Sequence, residues 1–163
     1  MNINTIYDVP VFIINMPNRK DRREHMIKLM NDIGFKNYAF VTPFKADENT
    51  KKLFEQLTKK ETKLPLTKIS HNMTYINLLG NENVDSMFIF EDDVMSTKSI
   101  EDVKKDLEYV YSNHPKDACM IYFEMCYEKC NFKMDNIFKK VEGPLCAASI
   151  YYPNKSLRRD LFG

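Results

Sequence analysis

Short, continuous apolar runs alternate with amphipathic stretches along this chain. The runs cover residues 9–16, 38–41, 87–90, 118–123 and 147–152. A continuous apolar run is typical of a strand that is covered on both faces, as the strands of parallel sheets are. The alternation therefore predicts an α/β domain with a mostly parallel central sheet and helices on both faces.

The stretches between the runs carry the spacing and the end signals of helices. Apolar residues recur at i, i+4 and i+7 between Asn18, the predicted N-cap, and Gly34, which stands where a left-handed helix end is expected. Further helices are predicted at about 48–60 and 66–79, and another over 100–111. In sheets of this kind, ligands gather at the carboxyl ends of the strands.

The size and charge of the chain limit its class. Its 163 residues predict a single domain over 1–163. A net charge of +1 argues against a nucleic-acid-binding protein. No apolar run approaches the roughly 20 residues of a membrane span, and no signal peptide is recognised, so we expect a cytoplasmic protein. The four cysteines lack zinc-site spacing and are interpreted as reduced thiols.

Three consecutive carboxylates, Glu91, Asp92 and Asp93, follow the apolar run 87–90. If the strand geometry continues, Glu91 and Asp93 share one face and Asp92 points away. Two such oxygen donors suit a hard divalent cation such as Mn²⁺ or Mg²⁺. The alternative is a solvated acidic loop that opens the next helix.

Basic residues cluster after the first apolar run. Three of the five arginines, Arg19, Arg22 and Arg23, lie here together with Lys20. A helix N-terminus favours an anion, and the guanidinium fork suits phosphate. Asp21 could fix one guanidinium or accept a hydrogen bond from a ribose hydroxyl group. The alternative is a solvated helix face, and no glycine-rich phosphate loop is present.

Three segments, in order, resemble glycosyltransferase family 25. Residues 11–23, VFIINMPNRKDRR, are similar to its opening motif INL-x-x-R-x-D-R. Ser70-His71 resembles its SH motif, and residues 87–94, MFIFEDDV, resemble its ILEDDV segment. The order and approximate spacing agree over residues 9–94. The family includes lipopolysaccharide galactosyltransferases and procollagen galactosyltransferases.

The resemblance implies a GT-A-like, Rossmann-like nucleotide-binding domain that uses Mn²⁺ or Mg²⁺. It also implies an inverting transfer of galactose or glucose from a UDP-sugar donor. Carried over by motif, the nucleotide-binding residues are Asn15, Arg19, Asp21 and Arg22, the metal-binding residues are Glu91, Asp92 and Asp93, and the family histidine is His71.

An inverting transfer needs a general base for the acceptor hydroxyl group. Glu124 ends the fourth apolar run at the same predicted sheet edge and is the candidate, with a solvated strand-end carboxylate as the alternative. The acceptor is a saccharide, a lipid-linked saccharide or a protein hydroxyl group such as hydroxylysine. The sequence does not choose between these acceptors.

Two other functions remain open. Family domains continue further past the last strand, so the acceptor side is expected to be short or missing. This favours, as an alternative, a non-catalytic binding or interaction module on the same fold. A metal-dependent phosphotransferase or phosphatase with an aspartate nucleophile is a third hypothesis.

Overall fold

The computed structural model describes residues 3–123, 129–133, 138–142 and 148–159. A 3₁₀ turn at Ile6–Asp8 precedes the first strand. The strands are β1 (Val11–Ile14), β2 (Tyr38–Val41), β3 (Met87–Glu91), β4 (Ile121–Tyr122), β5 (Lys129–Lys133), β6 (Lys139–Glu142) and β7 (Ser149–Tyr152). The helices are α1 (Lys20–Ile33), α2 (Glu48–Thr58), α3 (Leu66–Leu79), α4 (Ile100–Asn113) and α5 (Lys155–Arg159).

Five of the strands form one sheet in the order β2-β1-β3-β7-β4. β1 pairs in parallel with both β2 and β3, whereas β7 is antiparallel to both β3 and β4. β5 and β6 pair as a separate antiparallel sheet. The predicted α/β, Rossmann-like fold is thus confirmed, with a parallel core. The main strands are not all parallel, because β7 runs against its neighbours.

Helices cover both faces of the sheet. α1 and α4 pack on one face, where Met30 and Leu107 meet Phe88 and Phe90. α3 packs on the other face, where Leu78 belongs to the same cluster as Ile89. Successive side chains of a strand point to opposite faces, so a strand covered on both sides must be apolar at every position. This explains the continuous apolar sequence of β3.

The ends of the helices show which local signals were correct. Gly34 ends α1 in the left-handed conformation, with φ at 95°, as predicted. The predicted cap Asn18 is wrong: Arg19 occupies the N-cap position and makes no side-chain capping bond. α2 begins with a proper cap, since Asp47 accepts a hydrogen bond from the Thr50 N–H. α2 then ends at Thr58, two residues earlier than the predicted limit.

The carboxyl ends of β1, β2 and β3 meet at one edge of the sheet, because these three strands are parallel neighbours. The loops 15–19, 42–47 and 92–99 therefore begin side by side. α3 also starts at this edge, since it returns the chain to the opposite edge before β3. Within the described ranges, no helix has the length and apolarity that crossing a membrane requires.

Candidate functional site

A buried hydrogen bond joins the ends of β1 and β3. Asn15 directly follows β1, and Asp92 directly follows β3; both side chains are buried. The Asn15 side-chain amide donates to Asp92 Oδ2 at 2.8 Å and to the Arg19 carbonyl oxygen at 3.2 Å. One amide thus fixes the start of the basic cluster against the acidic cluster.

Arg22, in the first turn of α1, bridges two of the three carboxylates. Its Nη1 donates to Asp92 Oδ1 at 2.6 Å and to Asp93 Oδ2 at 3.1 Å. The hydrogen bond with Asp92 raises the pKa of Arg22 above its usual value. Among the described residues, Nε and Nη2 of Arg22 donate to no protein acceptor. The basic and acidic clusters therefore meet, as expected, and an edge of the guanidinium is still open to a ligand.

Arg19 and Asp21 form a pair of their own beside this bridge. The guanidinium donates from Nε to Oδ1 at 3.0 Å and from Nη2 to Oδ2 at 2.8 Å. These bonds lower the pKa of Asp21 to about 2. Both side chains are substantially exposed. Asp21 thus holds a guanidinium, which is one of the two roles considered for it.

Glu91 has different neighbours from the other two carboxylates. It lies on the α3 side of the sheet, where its Oε1 is 3.8 Å from His71 Nε2. Burial raises the pKa of Glu91, and the charges of Asp93 and Asp92 raise it further, while His71 and a hydrogen bond with Tyr75 oppose the shift.

Tyr75 is a residue of this site that the sequence analysis missed. Its ring centroid lies 4.8 Å from that of His71, and its hydroxyl group shares a hydrogen bond with Glu91. Burial, and then the Glu91 charge, raise the pKa of Tyr75. The spacing could have identified it, because residues four apart on a helix are neighbours on one face.

The expectation that Glu91 and Asp93 share a face is wrong. The strand ends at Glu91, and the chain turns there, with the Val94 N–H bonded to the Glu91 carbonyl oxygen at 3.4 Å. The turn brings both Asp92 and Asp93 to Arg22 on α1, whereas Glu91 contacts His71 on α3. Side-chain alternation cannot be extended past the last paired residue of a strand.

The carboxylate cluster offers few protein ligands to a divalent cation. Within the described part of the chain, no three His, Cys, Asp or Glu side chains converge on one point. Asp92 is already bonded to Asn15 and Arg22. Asp93 is bonded to the same Arg22 nitrogen, and Glu91 lies beside His71. Mg²⁺ is commonly held by one or two carboxylates together with substrate phosphates, a mode that one carboxylate of this cluster alone would satisfy.

Ser70, the first residue of the SH motif, holds a loop rather than facing the carboxylates. Its Oγ donates to the Phe44 carbonyl oxygen, and the Phe44 N–H donates to Thr74 Oγ1 at 3.1 Å. These bonds fix the loop that follows β2 against α3. Ser70 thereby helps to place His71, the next residue, at the site.

An apolar cavity of about 250 Å³ lies on the α1 and α4 face. Phe90, Val94 and Leu107 are part of its lining, which contains none of the predicted site residues. His25 Nε2 lies 2.8 Å from the Val94 carbonyl oxygen, and this contact holds the loop after the carboxylates against α1.

Glu124, the predicted general base, lies outside the described residues.

The geometry thus unites seven of the predicted residues at one sheet edge: Asn15, Arg22 and His71 with Glu91, Asp92 and Asp93, and the Arg19 carbonyl oxygen.

A search of curated proteins returns no significant match. The model of glycosyltransferase family 25, described as an LPS biosynthesis protein, matches residues 8–159. The match extends well beyond the residues 9–94 on which the resemblance was based. The chain belongs to glycosyltransferase family 25 and is a glycosyltransferase.

Proposed function

We propose that this glycosyltransferase moves galactose or glucose from a UDP-sugar to an acceptor hydroxyl group, with inversion and with the help of a divalent cation. The observation that carries the proposal is the contact of Arg22 with Asp92 and Asp93 at the carboxyl edge of the sheet. This contact joins a phosphate-binding group to carboxylates that suit a cation. A diphosphate donor that binds together with a cation would use both.

The donor diphosphate binds at the start of α1 in this proposal. Nε and Nη2 of Arg22 are the donors directed to phosphate oxygens, and the exposed Arg19 adds a second guanidinium. The N-terminus of α1 favours the same charge through the orientation of its first-turn N–H groups. Asn15 acts on Asp92 and the Arg19 carbonyl group, so it fixes the site without needing to touch the donor.

Asp93, whose side chain is 51% exposed, would hold the cation together with the donor phosphates, and Glu91, which faces His71, is a further candidate ligand. When bound, Mn²⁺ or Mg²⁺ supplies Lewis-acid neutralisation of the diphosphate leaving group. Asp92 has a different role, since its two oxygens accept from Arg22 and Asn15. Asp92 keeps Arg22 at the position where its remaining N–H groups can stabilise the charge that develops on the leaving group.

The acceptor proton requires a base, and two residues are candidates. The His71 ring is half-exposed and lies beside Glu91, so an acceptor hydroxyl group can reach it. Glu124 is the second candidate. Loss of a general base costs about 10²–10⁴ in kcat, so His71→Ala and Glu124→Gln are compared for sugar transfer at saturating donor. The substitution that removes the true base should lower kcat by this factor and leave donor binding unchanged.

The deciding experiment combines ligand binding with turnover. UDP plus Mn²⁺ is expected to raise the Tm, because a ligand at 100 times its Kd stabilises the fold by about 2.7 kcal/mol. UDP-sugar hydrolysis or transfer is expected to disappear in Asp93→Ala. Asp117→Ala, the same change at an exposed aspartate away from the cluster, serves as the matched control.

Two results would contradict this proposal. No Tm shift at millimolar UDP and Mn²⁺ would refute the donor assignment. Binding of UDP without any release of sugar would instead identify the chain as a non-catalytic module that retains the nucleotide site.

A further inference from the structure

The segment 45–68, which comprises α2 and the turn to α3, differs in charge from the rest of the molecule. It contains seven lysines and four carboxylates, a net charge of +3, whereas the remainder of the chain carries −2. We call this segment the α2 surface. Its positive charge is local, and the overall charge of +1 conceals it.

Leucines are exposed among these lysines. Leu53, Leu57 and Leu64 are 40%, 56% and 44% exposed. Leu53 and Leu57 lie one turn apart on α2, so they are neighbours on the same face of the helix. They account, with Leu64, for three of the six large apolar side chains that are exposed within the described residues. The buried side of α2, marked by Thr50, is directed at the protein.

The lysines of the α2 surface are available to an external anion. Lys52, Lys59, Lys60 and Lys63 are exposed. In the described ranges, none of them forms an ion pair. Two of the four carboxylates are engaged by backbone groups instead: Asp47 caps α2, and Glu55 accepts from the Thr62 N–H at 2.9 Å.

We propose that the α2 surface docks on an anionic membrane, with its leucines among the acyl chains and its lysines at the phosphate headgroups. α2 carries the neighbouring leucines and two lysines, and most of the lysines flank it in the adjoining turns. Exposed apolar side chains beside lysines are the combination that binds an anionic membrane interface. A protein partner fits the composition less well, because lysine is depleted in protein interfaces and leucine is under-represented among their hot spots. The proposal does not depend on the donor or the metal.

The position of the α2 surface agrees with such docking. The turn 59–65 leads directly into the start of α3, at the edge of the sheet where the carboxylates lie. His71 follows within the second turn of that helix. A protein docked through this segment would hold its site close to the membrane, within reach of an acceptor carried on a lipid.

Cosedimentation with vesicles tests the inference. The full chain is mixed at low salt with vesicles of phosphatidylcholine alone or of phosphatidylcholine with phosphatidylglycerol. We expect at least about five-fold more binding to the anionic vesicles, and a loss of binding as salt is raised. Equal binding to both vesicles, or no binding to either, would overturn the proposal.

Paired variants separate the two contributions. Leu53→Ser with Leu57→Ser, and separately Lys59→Gln with Lys60→Gln, should each lower vesicle binding about five-fold or more. Matched controls are Met95→Ser, an exposed apolar residue elsewhere, and Lys104→Gln with Lys105→Gln on α4, on the other face of the sheet. An unchanged Tm confirms that each variant folds.

A soluble polyglutamate probe distinguishes a membrane from an acidic protein. Binding to polyglutamate that depends on the lysines but not on the leucines, without binding to anionic vesicles, would assign the surface to a protein and refute the inference. Loss of vesicle binding in the controls to the same degree as in the α2 variants would refute it as well.

Discussion

Arg22 connects the two charged clusters of the chain through one nitrogen atom. Its Nη1 contacts Asp92 and Asp93, and Asp92 is buried. A buried carboxylate needs a partner, because leaving it uncompensated costs free energy. At the scale of single residues, the stability of this loop and the donor site therefore depend on the same side chain.

Arg22→Ala should lower the free energy of unfolding, because within the described residues the buried Asp92 then keeps only its bond from Asn15. Arg22→Lys should recover part of the stability, since it restores the charge but not the planar fork. Urea denaturation measures both variants. Arg23→Ala is the neighbouring control, since Arg23 contacts the Phe40 ring instead of the carboxylates. Equal stability of Arg22→Ala and the parent chain would contradict the assigned role.

The same residues show how far the sequence could predict the site. It placed Arg22 and Asp92 at one sheet edge, because each follows a strand of a parallel pair. It could not show that the two groups bond to each other, since 70 positions separate them and no local pattern encodes the pairing. The prediction that Asp93 lies on the same face as Glu91 was wrong, because β3 ends at Glu91 and the alternation of side chains along a strand stops there.

At the scale of elements, the carboxylate of Asp8 holds the turn before β1. It accepts from the Thr5 N–H at 3.0 Å and from Lys36 Nζ at 2.7 Å, and so links the start of the chain to the segment before β2. The bond from Lys36, then that from the Thr5 hydroxyl group, and to a smaller degree that from the Thr5 N–H, lower the pKa of Asp8 from 3.8 to about 2.

Asp8→Asn should destabilise the protein at neutral pH, with a difference that shrinks on acidification. A carboxylate whose pKa is lowered by folding stabilises the folded state above its unfolded pKa. That contribution is lost as the pH falls from about 4 to about 2, the interval between the unfolded and folded pKa values. Urea midpoints measured across this interval test the prediction. Asp117→Asn is an exposed control, and a difference independent of pH would contradict the assignment.

Gly34 ends α1 with a φ of 95°, and no atom lies within 4 Å of the position that a Cβ would occupy. Gly34→Ala is therefore expected to lower stability through backbone strain alone, by about 1 kcal/mol. Gly34→Asn should cost less, because asparagine tolerates the left-handed region better. The two variants are compared by thermal unfolding. A larger loss for asparagine than for alanine would indicate a steric cause.

The order of elements could be predicted, but the direction of one strand could not. β3 and β7 are both apolar, and nothing in either pattern states how a strand runs relative to its neighbour. In chain order the separate β5–β6 pair lies between β4 and β7, and β7 pairs antiparallel with β4. The end of α1 was predicted correctly at Gly34, because the left-handed backbone conformation favours glycine. The start was predicted wrongly at Asn18, because that prediction rested only on the capping ability of its side chain.

At the scale of the whole molecule, Arg158 links the last described helix to the middle of the chain. It is buried, and its guanidinium donates to four backbone carbonyl groups, those of Leu79, Asn81, Val84 and Asp85. Arg158 thus supplies donors to carbonyl groups at the end of α3 and in the loop between α3 and β3. The fold of residues 80–86 thus depends on a residue more than 70 positions later.

Arg158→Met should cost about 3 kcal/mol of stability, since it removes the donor of four part-buried hydrogen bonds to backbone carbonyl groups. Arg158→Lys should recover only part, because an ammonium group cannot donate in the same spread of directions as the guanidinium. Urea denaturation gives the free energies, and hydrogen exchange of the β3 amides shows whether the loss spreads through the sheet. Exchange that increases only in α5 would mean that this helix is an independent addition. Exchange that increases in α5 and β3 together would show that the domain unfolds as one cooperative unit, which the hydrogen bonds of Arg158 stabilise.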